Sequence, residues 1–570
     1  MHLLRLILFF MALAWPWLNP FVPGPSAAMV PWLVSLGCVG VALCALPLRL
    51  RVAALPRGVH GFFALTAAYF AVHMLWMGSD AEGWVTLLAW GCIWAMVLVG
   101  AALGWADHAA MVQAQDDAPL ALRPAHSYYI RSLAAMWLAV ALLSVLMALC
   151  QYMQVDQALS PWISHPTDGT AYANLRQRNQ FATLCSIGLC ALLYLQQTTP
   201  ASTPSALWRK AWPWLAAALL AVGTALSSSR TGALQWIVIA AAVLCWRTSM
   251  LPMVRRLCWV ALALYALAVA ITPTFADLVG NTSTGLWGRA QEGIGGNSRL
   301  WLYSNVLQLM VEKPLLGWGW RELSYAHYAT HFSPRFVELL DNAHNLPLHL
   351  AVELGTPFAA LFCGWLAWAA LRAAPWRESD PTRQLAWLVL LLLAVHSMVE
   401  YPLWYGPFMM ALGLSVGLLI APLYKENTAI VHVNTAQTAI QLIACGLLVF
   451  VAYASFDYHR VSQIYLTPEQ RSPEYRNNAL AAAQDSVLFN RQADFADLVT
   501  TELSRANAPR VLVLSTSLIH YSPESRVIEA LIESATMMGR DDLAVFHLGR
   551  YKEAYPEDYA KWTVLRRVKN

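Results

Sequence analysis

The sequence has few charged residues for its length. Charged residues make up 12% of the 570 residues and hydrophobic residues 58%, whereas a soluble domain carries roughly 25% charged residues. This composition excludes an ordinary soluble enzyme. It also excludes a disordered chain, which needs low hydrophobicity and high charge. A formal net charge of only +4 argues against a nucleic-acid-binding protein, which usually presents a basic patch.

The common metal-binding and hydrolase motifs are missing as well. The ten cysteines lie in or beside apolar runs and form no C-x-x-C, so we interpret them as small buried hydrophobic residues. No D-x-D, H-E-x-x-H or G-x-S-x-G occurs. The sequence therefore predicts chemistry without a metal or other cofactor.

Long apolar runs predict an all-α, polytopic membrane protein. About thirteen runs are long enough to cross a bilayer as helices, which takes roughly 17 to 25 residues. They lie near 3–20, 28–47, 60–77, 84–104, 132–152, 180–197, 211–227, 232–249, 256–273, 345–371, 384–399, 404–422 and 438–456. The first run lacks a small-residue cleavage site and is interrupted by prolines, so we do not expect a cleaved signal peptide.

Basic residues gather in alternate loops between these runs, which sets the orientation. The positive-inside rule places such loops in the cytoplasm. The N-terminus is then inside, and a long loop at 274–344 is outside. About a quarter of residues 457–570 are charged, against about 9% of residues 1–456. We therefore divide the chain into a transmembrane domain, 1–456, and a soluble outer domain, 457–570.

The soluble domain has a helical pattern. Segments at 474–500, 510–520, 525–538 and 541–555 resemble an array of tetratricopeptide-like hairpins. Such arrays usually bind protein. A passive cap that stabilises the membrane domain is the alternative interpretation.

Four polar clusters fall on the predicted outer side, at 175–181, 227–232, 297–320 and 341–346. Arginine on an outer loop runs against the positive-inside bias and suits an anionic ligand, because a guanidinium offers paired donors to phosphate. A histidine at a helix start, such as His344, can act as a general base near neutral pH. Structural alternatives are helix capping for Arg230 and interface anchoring for Arg176. The segment 400–405 closes a later run on the same side and could complete the pocket.

These motifs resemble the O-antigen ligase and polymerase superfamily of bacterial inner-membrane glycosyltransferases. Within it, the chain is most similar to the O-oligosaccharyltransferases that glycosylate pilins and other periplasmic proteins (the PglL/PilO type). The resemblance rests on 16–20 with Pro23, 177–179, 229–232, Arg299 with the turn 314–317, and 343–345. Many members carry a second histidine two residues before the main one, where this chain has Asn342. This leaves His344 as the only candidate base in the motif.

The resemblance implies transfer of a glycan from undecaprenyl pyrophosphate to a Ser or Thr hydroxyl of a periplasmic protein, with inversion at the anomeric carbon. It implies His344 as general base and Arg230 and Arg299 as groups that stabilise the pyrophosphate. Substrate binding is assigned to Gln177, Arg178, Asn179, Asn345 and Tyr405. The site and the C-terminal domain would face the periplasm, and the partners would be the lipid-linked glycan, a pilin-like acceptor and membrane lipids.

Other functions remain open at this point. Ligation of O-antigen to lipid A–core uses the same core motifs, and glycan polymerisation is a further possibility. A transporter or flippase of lipid-linked sugar predicts charged residues at mid-membrane, whereas the ionisable residues here collect at one face. A scaffold with a peptide-binding tail leaves the outward arginines unexplained.

Overall fold

The computed structural model describes residues 2–22, 28–46, 56–78, 81–117, 128–166, 169–199, 207–283, 285–286, 288, 298–421 and 433–569. Several features named above lie outside these ranges, namely Pro23, Asn297 and parts of the long loop predicted at 274–344. Within the described ranges the secondary structure is helical, without strands. The prediction of an all-α chain is confirmed for this part of the protein.

The helices are numbered here in chain order. They are α1 His2–Leu18, α2 Met29–Ala45, α3 Arg57–Met77, α4 Ala81–Asp117, α5 Tyr128–Tyr152, α6 Arg178–Gln197, α7 Leu207–Leu226, α8 Arg230–Cys245, α9 Pro252–Val279, α10 Ser298–Glu312, α11 Leu323–Ala329, α12 Leu346–Leu354, α13 Thr356–Ala373, α14 Pro381–Ser397, α15 Gly406–Ile420, α16 Val433–Ser462, α17 Ala479–Gln484, α18 Asn490–Thr500, α19 Ala508–Tyr521, α20 Ser525–Met537, α21 Asp541–Ala554 and α22 Pro556–Lys569.

Each predicted apolar run except 345–371 overlaps a single helix, but fewer helices than predicted are long enough to span a membrane. Among the described residues, six helices are long and apolar enough to cross a bilayer, at Arg57–Met77, Gly83–Ala106, Tyr128–Tyr152, Pro252–Val279, Thr356–Arg377 and Thr438–Tyr465. Five shorter apolar helices accompany them. This supports a multi-pass membrane protein, whereas a total of thirteen spans stays a prediction.

The prediction of one continuous span at 345–371 is wrong. Gly355 separates α12 from α13 and has a φ of +93°. A Cβ atom there would lie 2.0 Å from the carbonyl oxygen of Leu315, so only glycine permits this close approach. The turn after Leu315 packs against the end of α12. There the N–H groups of Trp318 and Gly319 donate to the carbonyls of Val352 and Glu353 at 2.9 and 3.0 Å. As a result, α12 lies outside the candidate span that begins at Thr356.

Helix α6 lies at the centre of the bundle. Its residues from Asn179 to Leu195 are all buried, and it packs against α5, α7, α8 and α14. A helix that is surrounded on all sides is apolar all round, which accounts for the uniform run at 180–197. The polar residues at its first turn are therefore held by a rigid element.

The C-terminal helices differ from prediction in two places, one of which is α22, a helix that was not predicted. The carboxylate of Asp457, in α16, accepts hydrogen bonds from the N–H groups of Val487 and Leu488 at 3.2 and 2.9 Å. These bonds fix a turn at 485–489, so the helix predicted over 474–500 is divided into α17 and α18. From α17 to α22, each helix packs on the next one in the chain, and α18 also contacts α20. The relation to tetratricopeptide repeats stays a prediction.

The C-terminal helices pack on α11, which lies within residues 274–344. Tyr328 belongs to the hydrophobic core of these helices, and its hydroxyl lies 3.0 Å from Nδ1 of His547. The carboxylate of Glu322 lies 2.8 Å from Nδ1 of His520, whose ring centroid is 3.8 Å from that of Tyr325. These contacts join α11 to α19 and α21.

This interface is expected to weaken in mild acid. Burial, assisted by the nearby His520, lowers the pKa of His547 from 6.5 to about 4, and the neutral ring accepts the Tyr328 hydroxyl. The folded state then binds fewer protons than the unfolded state between these values, so stability falls as pH falls from about 6.5 to about 4. Thermal unfolding followed at several pH values tests this. A His547→Asn variant, which cannot titrate, should show a smaller decrease, and equal decreases in both proteins would contradict the assignment.

Candidate active site

Three helices begin around one group of polar side chains. The N-terminus of each is capped by a side-chain oxygen of Gln177 for α6, Ser229 for α8 and Asn345 for α12, at 2.7, 3.0 and 3.1 Å from the accepted N–H. Free N–H groups and the helix dipole make such ends favourable for anions. Three of them directed to one region favour a ligand that carries negative charge.

Glu400, just beyond the end of α14, connects these helix ends. Its carboxylate lies 2.9 Å from Nδ1 of His344 and 3.2 Å from Nη2 of Arg299, and it accepts a hydrogen bond from Nδ2 of Asn179 at 3.2 Å. Asn179 in turn accepts from the hydroxyl of Ser229 at 2.7 Å. The Glu400 side chain is only 11% exposed, so these charged bonds are less weakened by water than surface pairs. We call these five residues the Glu400 cluster.

The cluster fixes the orientation of His344. Because an ionised carboxylate only accepts hydrogen bonds, Nδ1 of His344 carries the proton in the bond to Glu400. The lone pair is then on Nε2. The backbone N–H of His344 bonds the side chain of Asn342 at 2.8 Å, and the residue has a φ of +49°. A non-glycine residue in this region is held there by its surroundings. The arrangement is that of a histidine base oriented by a carboxylate.

The three candidate arginines differ in their surroundings. Arg299, in the first turn of α10, is about half exposed and uses one nitrogen for Glu400. Arg230 follows Ser229 directly, begins α8 and is exposed. Arg178 begins α6 and is half-buried. The structure therefore places all three at or beside the helix ends that surround the cluster.

Two predicted binding residues are engaged within the protein. Asn345 caps α12 and donates from Nδ2 to the carbonyl of Met398 at 3.0 Å, and Gln177 caps α6. Both thereby position neighbouring cluster residues. Arg176 donates to the backbone carbonyls of Pro20 and Asn174, so it has a structural role that involves the proline-containing segment at 16–20.

Two tyrosines flank the cluster. The rings of Tyr401 and Tyr405 are stacked with centroids 6.2 Å apart, and Tyr401 meets the His344 ring edge-on at 5.2 Å. Burial raises the pKa of Tyr401. Its phenol therefore stays protonated near neutral pH and can donate a hydrogen bond.

A cavity of about 1390 Å³ reaches the region behind the cluster. Asp341 and Leu346, on either side of His344 in the sequence, line it. Many of its other lining residues are aromatic and aliphatic side chains from α2, α3, α4, α13 and α15. Glu353 and His520 are among its polar lining residues. The cavity thus combines a large apolar surface with polar groups, some of them close to His344 in the sequence.

Sequence reasoning missed the role of Glu400. It placed residues 400–405 near the pocket, but it did not pair Glu400 with His344. A carboxylate at the outer end of an apolar run, on the same side as the arginines, was the available signal. In the described ranges, no group of three or more His, Cys, Asp or Glu side chains is arranged to hold a metal ion.

Comparison with known families covers all parts of the cluster. Residues 215–363 match the family described as O-antigen ligase, and residues 171–195 match protein glycosylation ligase. The resemblance to the O-antigen ligase superfamily is confirmed. Residues 384–568 match the C-terminal part of the membrane-bound polymerases described as virulence factors. The protein glycosylation ligase match contains Asn179. The O-antigen ligase match contains Arg230, Arg299 and His344, and the polymerase match contains Glu400.

Two similar curated proteins are named as O-oligosaccharyltransferases. The general O-oligosaccharyltransferase of Acinetobacter baylyi is 25% identical over 344 residues, 58% of this chain and 57% of the relative. The ComP-specific O-oligosaccharyltransferase of the same organism is 23% identical over 341 residues, 59% of this chain and 60% of the relative. The chain thus matches about three fifths of the length of these relatives.

Proposed function

We propose that the protein is an O-oligosaccharyltransferase that transfers a glycan from undecaprenyl pyrophosphate to Ser or Thr hydroxyls of a periplasmic, pilin-like protein. The observation that carries this proposal is the Glu400 cluster, in which a carboxylate joins a histidine and an arginine at three helix ends. The similarity to O-oligosaccharyltransferases supports the reaction class. We place the cluster and the C-terminal domain on the periplasmic side of the inner membrane.

In the proposed step, Nε2 of His344 removes the proton of the acceptor hydroxyl. The hydroxyl oxygen attacks the anomeric carbon as the bond from that carbon to the pyrophosphate oxygen breaks. The electron pair leaves with undecaprenyl pyrophosphate. A hydroxyl is a weak nucleophile at neutral pH, so a positioned base lowers the barrier. Glu400 holds the required tautomer and stabilises the imidazolium that forms.

Negative charge grows on the pyrophosphate as it leaves. Arg178, Arg230 and Arg299 lie in the first turns of α6, α8 and α10, and we infer that this charge is held near them. Preorganised donors are most effective where charge develops, because they need no reorganisation during the reaction. We assign to the pyrophosphate the exposed guanidinium of Arg230 and those nitrogens of Arg299 that do not bond Glu400.

The polyprenyl chain of the donor is assigned to the apolar part of the 1390 Å³ cavity. Its aromatic and aliphatic wall suits an isoprenoid chain, since burial of apolar surface contributes roughly 25 cal/mol per Å². Asp341 and His349, which flank His344 in the sequence, also line the cavity. In this arrangement, the lipid anchors the donor while the pyrophosphate reaches the helix ends.

The acceptor is tested in cells that supply one lipid-linked glycan together with a pilin-type protein and a lipid A–core acceptor. Glycan on the protein, detected by mass spectrometry, is the expected result. Glycan on lipid A–core alone would overturn the protein acceptor and support O-antigen ligation, the alternative favoured by the match at 215–363. Transfer to neither acceptor would contradict both.

Arg230→Lys is expected to reduce the transfer rate about 10- to 100-fold, because lysine keeps the charge but loses the paired donors. The measurement is the initial rate with saturating lipid-linked donor. Arg372→Lys is the matched control, since Arg372 is exposed at the C-terminal end of α13, and it should transfer at the wild-type rate. Equal rates for the two variants would remove Arg230 from the proposed site.

A further inference from the structure

Helix α12 joins His344 to a second buried carboxylate. The helix starts directly after the cap Asn345 and has nine residues, which span about 13 Å. His344 precedes it, and Glu353 lies in its last turn. Glu353 is 1% exposed and takes no part in the proposed transfer step.

Glu353 holds the turn that leads into α11. Its Oε2 accepts the backbone N–H of Arg321 at 2.9 Å, and its Oε1 accepts that of Leu323 at 3.3 Å. Arg321 has a φ of +69°, a left-handed conformation that a non-glycine residue keeps only when its surroundings hold it. The carboxyl group thus fixes the entry of α11 against the end of α12.

The pair that Glu353 forms with His349 is fully buried, which favours the uncharged form of both groups. Nε2 of His349 lies 3.4 Å from Oε2 of Glu353, and its ring meets Trp404 edge-on at 4.9 Å. Burial raises the pKa of Glu353 and lowers that of His349. A protonated carboxyl group at Glu353 can donate to the histidine and still accept both backbone N–H groups. The contact therefore persists without an ionic partner.

The same α11 carries the C-terminal domain. Glu322, directly before α11, pairs with His520 at 2.8 Å, and Tyr325 packs on the His520 ring. A continuous set of contacts therefore leads from the domain through α11 and Glu353 to α12. At the other end of α12 lies His344.

We propose that Glu353 is a positioning residue that couples the docking of the C-terminal domain to the placement of His344. This proposal rests on the proposed function only for its activity readout. A displacement of α11 moves the end of α12 that Glu353 holds. Because α12 is a short rigid helix, the displacement reaches Asn345 and His344 at its start. The domain then affects the rate of transfer without touching the reacting atoms.

A double-mutant cycle on the purified full chain tests the coupling. Glu353→Gln leaves one backbone N–H without an acceptor, and His520→Ala removes the docking contact on α11. Both residues also line the cavity that we assign to the donor lipid, so kcat is measured with saturating donor, and we expect each variant to lower it about 5- to 10-fold. The double variant should lose no more than the more affected single variant, since both changes break one route. If the fold-losses of the two single variants multiply in the double variant, the proposal is wrong. It is also wrong if the variants change only KM.

His459→Ala is the matched control, because His459 lies in the C-terminal part of the chain and bonds Ser472. It should retain wild-type kcat.

Hydrogen exchange of the peptide covering 345–354 gives a readout that needs no substrate. The N–H of Leu348 is bonded to the cap Asn345, and it should exchange several-fold faster in His520→Ala. Unchanged exchange would overturn the coupling. If exchange is faster in His520→Ala but the wild-type protein transfers no glycan, the coupling is supported and the proposed function is contradicted. His520→Ala alone gives this answer if Glu353→Gln does not fold.

Discussion

Replacing His344 with alanine is expected to reduce glycan transfer by about 10³-fold, within the range that a general base contributes. The acceptor hydroxyl then loses the group that takes its proton, while the arginines and the cavity remain. The KM for the lipid-linked donor should change little, because the donor contacts are left in place. Initial rates with purified protein and a serine-containing acceptor peptide give both parameters.

His165→Ala provides the control for this variant. His165 is also paired with a carboxylate, Asp156, at 2.6 Å, and its side chain is 51% exposed. His165 precedes α6 on the same predicted side. The variant therefore removes a histidine–carboxylate pair that is not part of the Glu400 cluster. We expect near wild-type rates. Transfer by His344→Ala at the rate of His165→Ala would rule out the base assignment.

Glu400→Gln is expected to lower kcat by about 10²- to 10⁴-fold. A glutamine amide can donate to Nδ1 of His344, which moves the proton to Nε2 and removes the lone pair that the base needs. The isosteric side chain keeps the volume of the site, so the protein should fold. The amide also accepts less strongly from Arg299 and Asn179, which adds to the loss.

A matched carboxylate is available at Glu378, which pairs with Arg383 at 2.6 Å near the start of α14. Glu378→Gln breaks one carboxylate–arginine pair near the other end of the same helix. Its kcat should stay within about two-fold of wild type. If Glu400→Gln and Glu378→Gln have the same rate, the carboxylate does not orient the base.

Local chemistry made part of this structure predictable. Apolar runs indicated where helices form, because backbone groups in a membrane must be bonded within the segment. Ser229 and Asn345 precede apolar runs, as helix caps do. These features depend on neighbours in sequence, so the sequence alone is enough to find them.

Long-range contacts were not predictable in the same way. Glu400 bonds His344 across 56 positions and Asn179 across 221, and no local pattern records such a pairing. The sequence shows Gly355, but it does not show why glycine is needed there. The need arises because the backbone of Leu315, in the turn before α11, approaches this position closely. The buried Asp457 likewise ends a helix by binding N–H groups some 30 positions away. In each case, the deciding partner comes from packing.

The central claim is a single displacement at the anomeric carbon, with His344 as base and a protein hydroxyl as acceptor. The most direct test uses purified protein in liposomes, a lipid-linked glycan of known anomeric configuration and a serine-containing acceptor peptide. The configuration of the new linkage is then read by NMR. The account predicts a glycopeptide with inverted configuration. Retained configuration, or no glycopeptide at all, would contradict it.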